Sequence, residues 1–395
     1  METPRRITIP QALLPQVLRQ LDTHGTAFTP VGLSRHEGGV EWLARGPVGQ
    51  ERGGRGILWT RERAIPLPLA GEEMVLVRVD QEGLLAGYIY QDPFLHSVPI
   101  RLVAPGLPQE PPPSLSPPSQ ARSRVAGALG EGWGRLPGLQ VLVAGAGRLG
   151  GLAAQLLLQG GVRRLVLVDP DGVMEENLDG GVFGPGDVGR PKVEALRDHL
   201  LRLDPGAEVV ALPVGVEDLE CLPRVKAADA LVVATDWDRP RAALGAMAAA
   251  YLKPLLDLGT EVDREGRAGG EVRLLLPGEG CVVCMGGLAH PEEAGEERRP
   301  SRPWWEERGG SLPGLNALVA GLGVEALLGF LAGRGGRGLW VRVEWDGEGP
   351  RFSRPPWSPR EGCLCGLAGV GDEGLGQAVD LVRNWHSSPP AGASS

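Results

Sequence analysis

Residues 139–150, LQVLVAGAGRLG, constrain this chain more than any other segment. A fully apolar strand runs directly into Gly145-x-Gly147-x-x-Gly150, and the helical pattern RLGGLAAQLLLQGG follows at once. A strand that is apolar on both faces has to be covered on both faces. The pattern then repeats. RRLVLVDPD, AEVVALPV, ADALVVATD and PLLDLGTE read as further apolar strands, while PKVEALRDHLLRLDP and RPRAALGAMAAAYLKP read as helices stopped by proline. Such alternation predicts an α/β fold on a doubly wound, largely parallel sheet. SLPGLNALVAGLGVEALLGFL (311–331) reads as a late Gly/Ala-rich helix and VRVEWDGEGPRF as a late strand.

Ahead of this region, PGLPQEPPPSLSPPSQ (105–120) is proline-rich and reads as a semi-rigid linker. It divides a smaller N-terminal α+β domain, 1–104, from the α/β domain, 121–368. ITIPQALLPQVLRQL opens the first domain as a short strand and an amphipathic helix, and GGRGILW, EEMVLVRVD, GLLAGYIY and SVPIRLV read as strands. PEEAGEERRPSRPWWEERGG (291–310) reads as a charged loop, and residues 369–395 as a partly disordered tail.

Hydrophobic residues make up 42% of the 395-residue chain, enough for a full core, so wholesale disorder is excluded. The net charge of -9 argues against nonspecific binding to nucleic acid. No apolar run reaches the ~18 residues of a membrane span, and the N-terminus has no apolar signal-peptide core. A cytoplasmic protein with no membrane partner is expected. Five cysteines, four of them in the tight pairs Cys281/Cys284 and Cys363/Cys365, suit metal binding in a reducing compartment better than a disulfide framework.

In the glycine motif the first glycine makes the turn, the second admits a close ligand, and the third lets helix approach strand. The helix N-terminus offers free N–H groups to an anion. Asp169 ends the next strand, where a carboxylate can accept from ribose hydroxyls. Up to this point a nicotinamide or flavin dinucleotide fits as well as a nucleotide. The chain then departs from a dinucleotide pattern. A long polar loop follows, with Asp169-Pro170-Asp171, Glu175-Glu176-Asn177-Leu178 and Asp187-Val188-Gly189-Arg190-Pro191-Lys192 in order. Ala234-Thr235-Asp236 with Arg241, and later Asn316 with Ala320, complete a series that resembles the ThiF/MoeB family of adenylating enzymes, to which ubiquitin-activating enzymes also belong. The resemblance covers about residues 121–368.

The resemblance implies a Rossmann-like, ThiF-type nucleotide-binding fold and an ATP-dependent adenylyltransferase. Such an enzyme activates the C-terminal carboxylate of a ubiquitin-like or sulfur-carrier protein, or of a peptide, as an acyl-adenylate. It implies ATP and Mg²⁺ held by Gly145, Gly147, Gly150, Asp169, Asp171, Asn177, Lys192 and Asp236, with Lys192, Asp236 and Arg241 as catalytic residues. Lys192 would meet the phosphates as a point charge and Asp236 would hold Mg²⁺. It also implies a homodimer, a carrier ending in Gly-Gly, and a structural Zn²⁺ on Cys281, Cys284, Cys363 and Cys365.

Two departures stand out. The family arginine after N-L-x falls on Gly180, with Asp179 beside it. Arg190 or Arg241 are the candidates to replace it, and the resemblance implies a second family arginine, supplied across the dimer from just before the first strand, that falls on Arg122 or Arg124. Cys221 precedes the Asp236 strand, away from where thioester-forming members carry their nucleophile, so no enzyme thioester is expected. The opening of the N-terminal domain is similar to that of JAB/MPN metallo-isopeptidases, but the zinc signature is absent and His24, His36 and His96 are isolated from one another. A binding or dimerising role is expected for it. Two rivals stay open: a non-catalytic scaffold, resting on Gly180, and an NAD(P)- or FAD-linked oxidoreductase, resting on the glycine loop and Asp169.

Overall fold

The computed structural model describes residues 4–24, 26–36, 39–46, 48–49, 55–61, 73–79, 85–91, 94–98, 100–103, 124–262, 266–288, 311–345, 348–359 and 362–376. The linker 105–120, the charged segment 291–310 and the last residues of the tail lie outside them. Two eight-stranded sheets carry the fold.

The N-terminal sheet comprises β1 (Pro4–Pro10), β2 (Thr26–His36), β3 (Gly39–Ala44), β4 (Arg55–Thr60), β5 (Glu73–Val79), β6 (Leu85–Gln91), β7 (Phe94–Val98) and β8 (Ile100–Val103), in the order β7-β6-β5-β4-β2-β3-β1-β8. Helix α1 (Leu14–His24) joins its core through Val17 and Leu21, with Ile7, Ile9, Trp42 and Trp59. β2 is not evident in the sequence because Pro30 and Gly32 punctuate it. It holds because it changes partner there, pairing with β4 over Thr26–Pro30 and with β3 over Val31–His36.

The second sheet comprises β9 (Gln140–Ala144), β10 (Arg164–Val168), β11 (Glu208–Leu212), β12 (Ala230–Val233), β13 (Leu255–Val262), β14 (Ala268–Leu275), β15 (Leu339–Trp345) and β16 (Pro350–Ser353). Its order is β11-β10-β9-β12-β13-β14-β15-β16, parallel through β13 and antiparallel beyond. The helices are α2 (Arg124–Leu129), α3 (Arg148–Gly160), α4 (Lys192–Leu203), α5 (Leu222–Ala227), α6 (Asp238–Ala250) and α7 (Pro313–Leu331). α3, α4 and α7 pack together over the sheet, while α5 packs on β9 and α6 on β12 and β13. The α/β expectation therefore holds, with an antiparallel extension of the parallel core.

From β9 the chain moves out to β10 and β11, then returns to β12 on the other flank of β9. Opposed crossovers open a crevice at the carboxyl ends of these strands, where doubly wound folds bind ligands. Gly145, Asp169 and Ala234 all follow those ends.

One sequence expectation is corrected here. α7 is long and apolar enough to cross a membrane, at a mean hydropathy of 1.7. Its small and apolar residues serve the core instead. Val319, Ala320, Gly323, Val324, Leu327 and Leu328 are buried, and the helix packs on β13, β14 and α3.

The two sheets are joined through residues 371–374, which directly follow the second cysteine pair. Asp372 accepts from the Arg35 N–H of β2 at 2.8 Å, from Lys226 of α5 at 2.9 Å and from the Tyr251 hydroxyl at 2.8 Å. Burial alone would raise this carboxyl. The three donors hold it below the ordinary carboxylate range.

The two ends of the glycine motif differ in what they tolerate. A Cβ on Gly150 would lie 1.9 Å from the Gly145 carbonyl oxygen, whereas one on Gly147 meets nothing within 4 Å. Gly150→Ala should cost about 1–3 kcal/mol in urea unfolding, as overpacking does, and Gly147→Ala less than about 1 kcal/mol. Equal losses would contradict the close helix–strand approach at Gly150.

Candidate active site

The glycine loop is held from both flanks. Gly145 has φ +92°, which favours glycine, and its N–H donates to the Val168 carbonyl at 2.9 Å. On the other side Ala234 N–H donates to the Ala144 carbonyl at 2.9 Å, and a Cβ on Gly145 would lie 2.4 Å from the Ala234 oxygen. One glycine thus brings two walls together, one following β10 and one following β12.

Asp169 organises the first wall. Its Oδ2 accepts from the Ala146 N–H at 2.6 Å and its Oδ1 from the Asp171 N–H at 2.9 Å. Burial pushes its carboxyl above the usual range, against the opposing pull of Lys192 and these two N–H groups. Lys192 begins α4, the end of a helix that disfavours a cation. Its side chain turns to Asp171, 2.9 Å away. Asn177 uses Oδ1 to accept from the Met174 N–H at 2.9 Å, which closes the short 3-10 turn Glu175–Leu178. Asp187 similarly accepts from the Gly184 N–H, and Arg190 pairs with Asp187 and Asp198.

The second wall is the turn between β12 and α6. Asp236 lies exposed in it. Arg241 does not point outward. It donates to the carbonyls of Thr235 and Leu258 and pairs with Asp257, so it fixes the turn that carries Asp236. The two replacements expected for the arginine at position 180, Arg190 and Arg241, are both paired with carboxylates, and of the candidates for the cross-dimer arginine Arg122 lies outside the described residues and Arg124 is exposed at the start of α2. Gly180 itself has φ +75°, and a Cβ there would lie 2.4 Å from Pro313 Cγ, so no arginine fits in that place.

Two residues that sequence reasoning missed stand behind the second wall. Asp257 is fully buried on β13, between Arg241 and Arg273, the latter at 2.9 Å. Arg273 also donates to the carbonyls of Met285 and Gly286. A carboxylate inside the apolar strand PLLDLGT was the available signal, because a buried charge needs a partner.

Met285 and Gly286 follow the first cysteine pair. The Sγ atoms of Cys281, Cys284, Cys363 and Cys365 lie within 4.8 Å of one another, the only such candidate metal group among the described residues. Cys284 Sγ is 3.5 Å from Cys281, 3.4 Å from Cys363 and 3.6 Å from Cys365. Four thiolates at about 2.3 Å from a tetrahedral metal stand about 3.8 Å apart, so a small expansion accommodates one ion. The neighbouring Cys281 S–H holds the Cys284 thiol below the ordinary thiol range, which favours a ligating thiolate. A short 3-10 turn, Leu364–Leu367, brings the close-spaced Cys363 and Cys365 to the same centre.

A family model described as the ThiF family matches residues 122–363. The chain belongs to the ThiF family. Its curated relatives include a molybdopterin-synthase adenylyltransferase of Escherichia coli K12, 33% identical over 38% of this chain and 59% of that protein. The sulfur carrier protein ThiS adenylyltransferase of the same strain is 31% identical over 39% and 61%. The ATP-dependent ubiquitin transferase-like protein Cap2 of Pseudomonas aeruginosa is 31% identical over 49% of this chain and 32% of that one. The chain thus matches about a third to three-fifths of the length of these relatives. Among solved structures, the crystal structure of E. coli MccB with ATP aligns at a TM-score of 0.49 and 18% identity, over 64% of this chain and 76% of that one. In this ThiF-family chain the glycine loop, Asp169, Asp171, Asn177 and Lys192 gather on one wall of the crevice and Asp236 on the other.

Two outcomes follow from the geometry. Asp257→Ala should destabilise the protein by about 3–5 kcal/mol in chemical unfolding, since it leaves Arg241 without its counter-charge and Arg273 with Glu271 alone. A loss below about 1 kcal/mol would contradict that pairing. Cys221 is fully buried, and burial, with Asp218 and Glu217 nearby, pushes its thiol up to about 12. Native protein should leave Cys221 unalkylated by iodoacetamide at neutral pH while denatured protein reacts, as peptide mass mapping would show.

Proposed function

We propose that this chain is an ATP-dependent adenylyltransferase that activates the C-terminal carboxylate of a small ubiquitin-like or sulfur-carrier protein, or of a peptide. The observation that carries the reading is the pairing of walls at Gly145. The N-terminus of α3, open at Gly147, stands between the wall that carries Lys192 and the turn that carries Asp236. The adenylyltransferase relatives support the same reading. A carboxylate oxygen of the carrier attacks the α-phosphorus, the bond to the β-phosphate oxygen breaks, and its electron pair leaves with pyrophosphate. Lys192 would exchange part of its pairing with Asp171 for the phosphates. Asp236 would hold Mg²⁺, which neutralises phosphate charge when bound. Asp169 keeps the Ala146 N–H and the loop in place and offers its carboxylate to the ribose. Asn177 has its amide N–H groups left for phosphate oxygens.

The proposal extends to a homodimer, to a Gly-Gly carrier terminus and to a cytoplasmic setting, where reduced cysteines persist. It assigns a structural Zn²⁺ to the four cysteines, a closed set with no position for substrate. The inert Cys221 supports adenylate formation without an enzyme thioester.

ATP–pyrophosphate exchange with candidate carriers tests the activity. Lys192→Ala and Asp236→Ala should each lower exchange by about 10²-fold or more, the scale of one lost preorganised electrostatic group, and Cys221→Ala should leave it unchanged. Full exchange in both single variants would remove the catalytic assignment. Metal analysis of freshly purified, reduced protein should give about one zinc per chain, and a zinc-free but folded sample would retire the metal assignment.

A further inference from the structure

The cations near the glycine loop differ in how their charge is met. Lys192 lies 2.9 Å from Asp171, Arg190 pairs with Asp187 and Asp198, and Arg241 pairs with Asp257. Each is offset by a carboxylate. Arg148, the first residue of α3, is not. Its Nε donates to the main-chain carbonyl of Asp179 at 2.7 Å, and its Nη2 donates to the main-chain carbonyl of Glu176. Carbonyl oxygens fix the direction of a guanidinium but carry no net charge. Among the described residues no ion pair forms at Arg148, so its positive charge stands uncompensated beside the loop. It also stands at the positive end of the α3 dipole, where a cation is disfavoured and an anion favoured. An anionic ligand is the group that resolves both.

The crossover loop passes close to this side chain. A Cβ on Gly181 would lie 3.7 Å from Arg148 Cγ, and Gly180 has no room for a side chain against Pro313. Gly181 leaves room for the arginine stem beside the turn whose Glu176 and Asp179 carbonyls its head meets. The guanidinium has five N–H donors, of which two are used on the carbonyls.

We propose that Arg148 is a catalytic residue that binds the β- and γ-phosphates of the nucleotide, so that the site distinguishes ATP from AMP. The inference rests on the adenylation reading above. As the bond from the α-phosphorus to the β-phosphate oxygen breaks, the leaving pyrophosphate gains charge, and Arg148 meets it from the first turn of α3. Its hold on the Glu176 and Asp179 carbonyls keeps the guanidinium oriented before the nucleotide arrives.

Calorimetric titration of the full chain with ATP·Mg²⁺ and with AMP tests this, using wild type, Arg148→Gln and Arg148→Lys. Arg148→Gln should weaken ATP by about 10- to 100-fold, as the loss of a charge-assisted contact does, and change AMP less than about twofold. Arg148→Lys, which keeps the charge without the two-carbonyl fork, should recover part of the ATP preference. An Arg148→Gln protein that weakens ATP and AMP equally would mean that Arg148 only holds the loop, and would overturn the proposal. So would an unchanged ratio of ATP to AMP affinity, and in both cases the adenylation reading would stand on wild-type ATP binding. A wild type that binds neither nucleotide would overturn both.

Discussion

A fully buried carboxylate between two arginines, Asp257 with Arg241 and Arg273, ties the parts of this chain that do chemistry to the part that holds it together. Taken singly, none of the three charges belongs inside a sheet. Together they form a continuous link. Arg241 reaches the Thr235 carbonyl in the turn that carries Asp236, and Arg273 reaches the Met285 carbonyl just past Cys284. Replacing such a group by apolar residues of equal volume often costs little stability. Its value here is registry, because it aligns the β12 turn with the cysteine turn across β13 and β14.

The link continues through the cysteines. Cys363 and Cys365 bring the chain back to the centre, and seven residues later Asp372 reaches across to Arg35 of the N-terminal sheet and to Lys226 of α5. A second crossing pairs Arg101 of β8 with Asp229 at 2.9 Å, and a third pairs Arg55 of β4 with Glu373. The N-terminal sheet is therefore docked by charged contacts to the segment that leads into β12 and to the stretch after the second cysteine pair. Leu43 and Val103 of the N-terminal sheet also join the apolar core of the second sheet, so burial holds the junction while the charges set its register.

Elements whose information is local were legible in the sequence. The apolar runs of β9, β10, β12 and β13, the glycine turn, the proline stops and the polar crossover all depend on neighbours in the chain. The wall containing Asp169, Asp171, Asn177 and Lys192 was legible because one loop supplies it. Elements set by distant contacts were not. β2 carries Pro30 and Gly32 and survives by changing partner. α7 has apolar residues on every side, a pattern shared by core helices and membrane spans, and only its neighbours decide between them. Arg241 read as a catalytic cation, and nothing local in the chain showed that β13 places Asp257 beside it. Arg148 was hidden inside the glycine motif, where the arginine is one of the unspecified positions.

The crevice that results has walls of unequal stiffness. The Asp236 turn is held by Arg241 through three acceptors, one in the turn itself and two on β13, backed by Arg273. The crossover wall is held differently. Neither of its short 3-10 turns buries a residue, and single side chains close them, Asn177 onto Met174 and Asp187 onto Gly184. Few buried contacts and exposed local hydrogen bonds mark segments that open at low free energy. A site that admits a nucleotide, closes on it and then releases pyrophosphate needs one wall that keeps its geometry and one that yields. Arg148 spans the boundary, rooted in the rigid first turn of α3 and grasping the yielding turn by its carbonyls. Occupation of the crevice by an anion would then draw on the same side chain that keeps the crossover turn in place, which couples binding to the ordering of that wall.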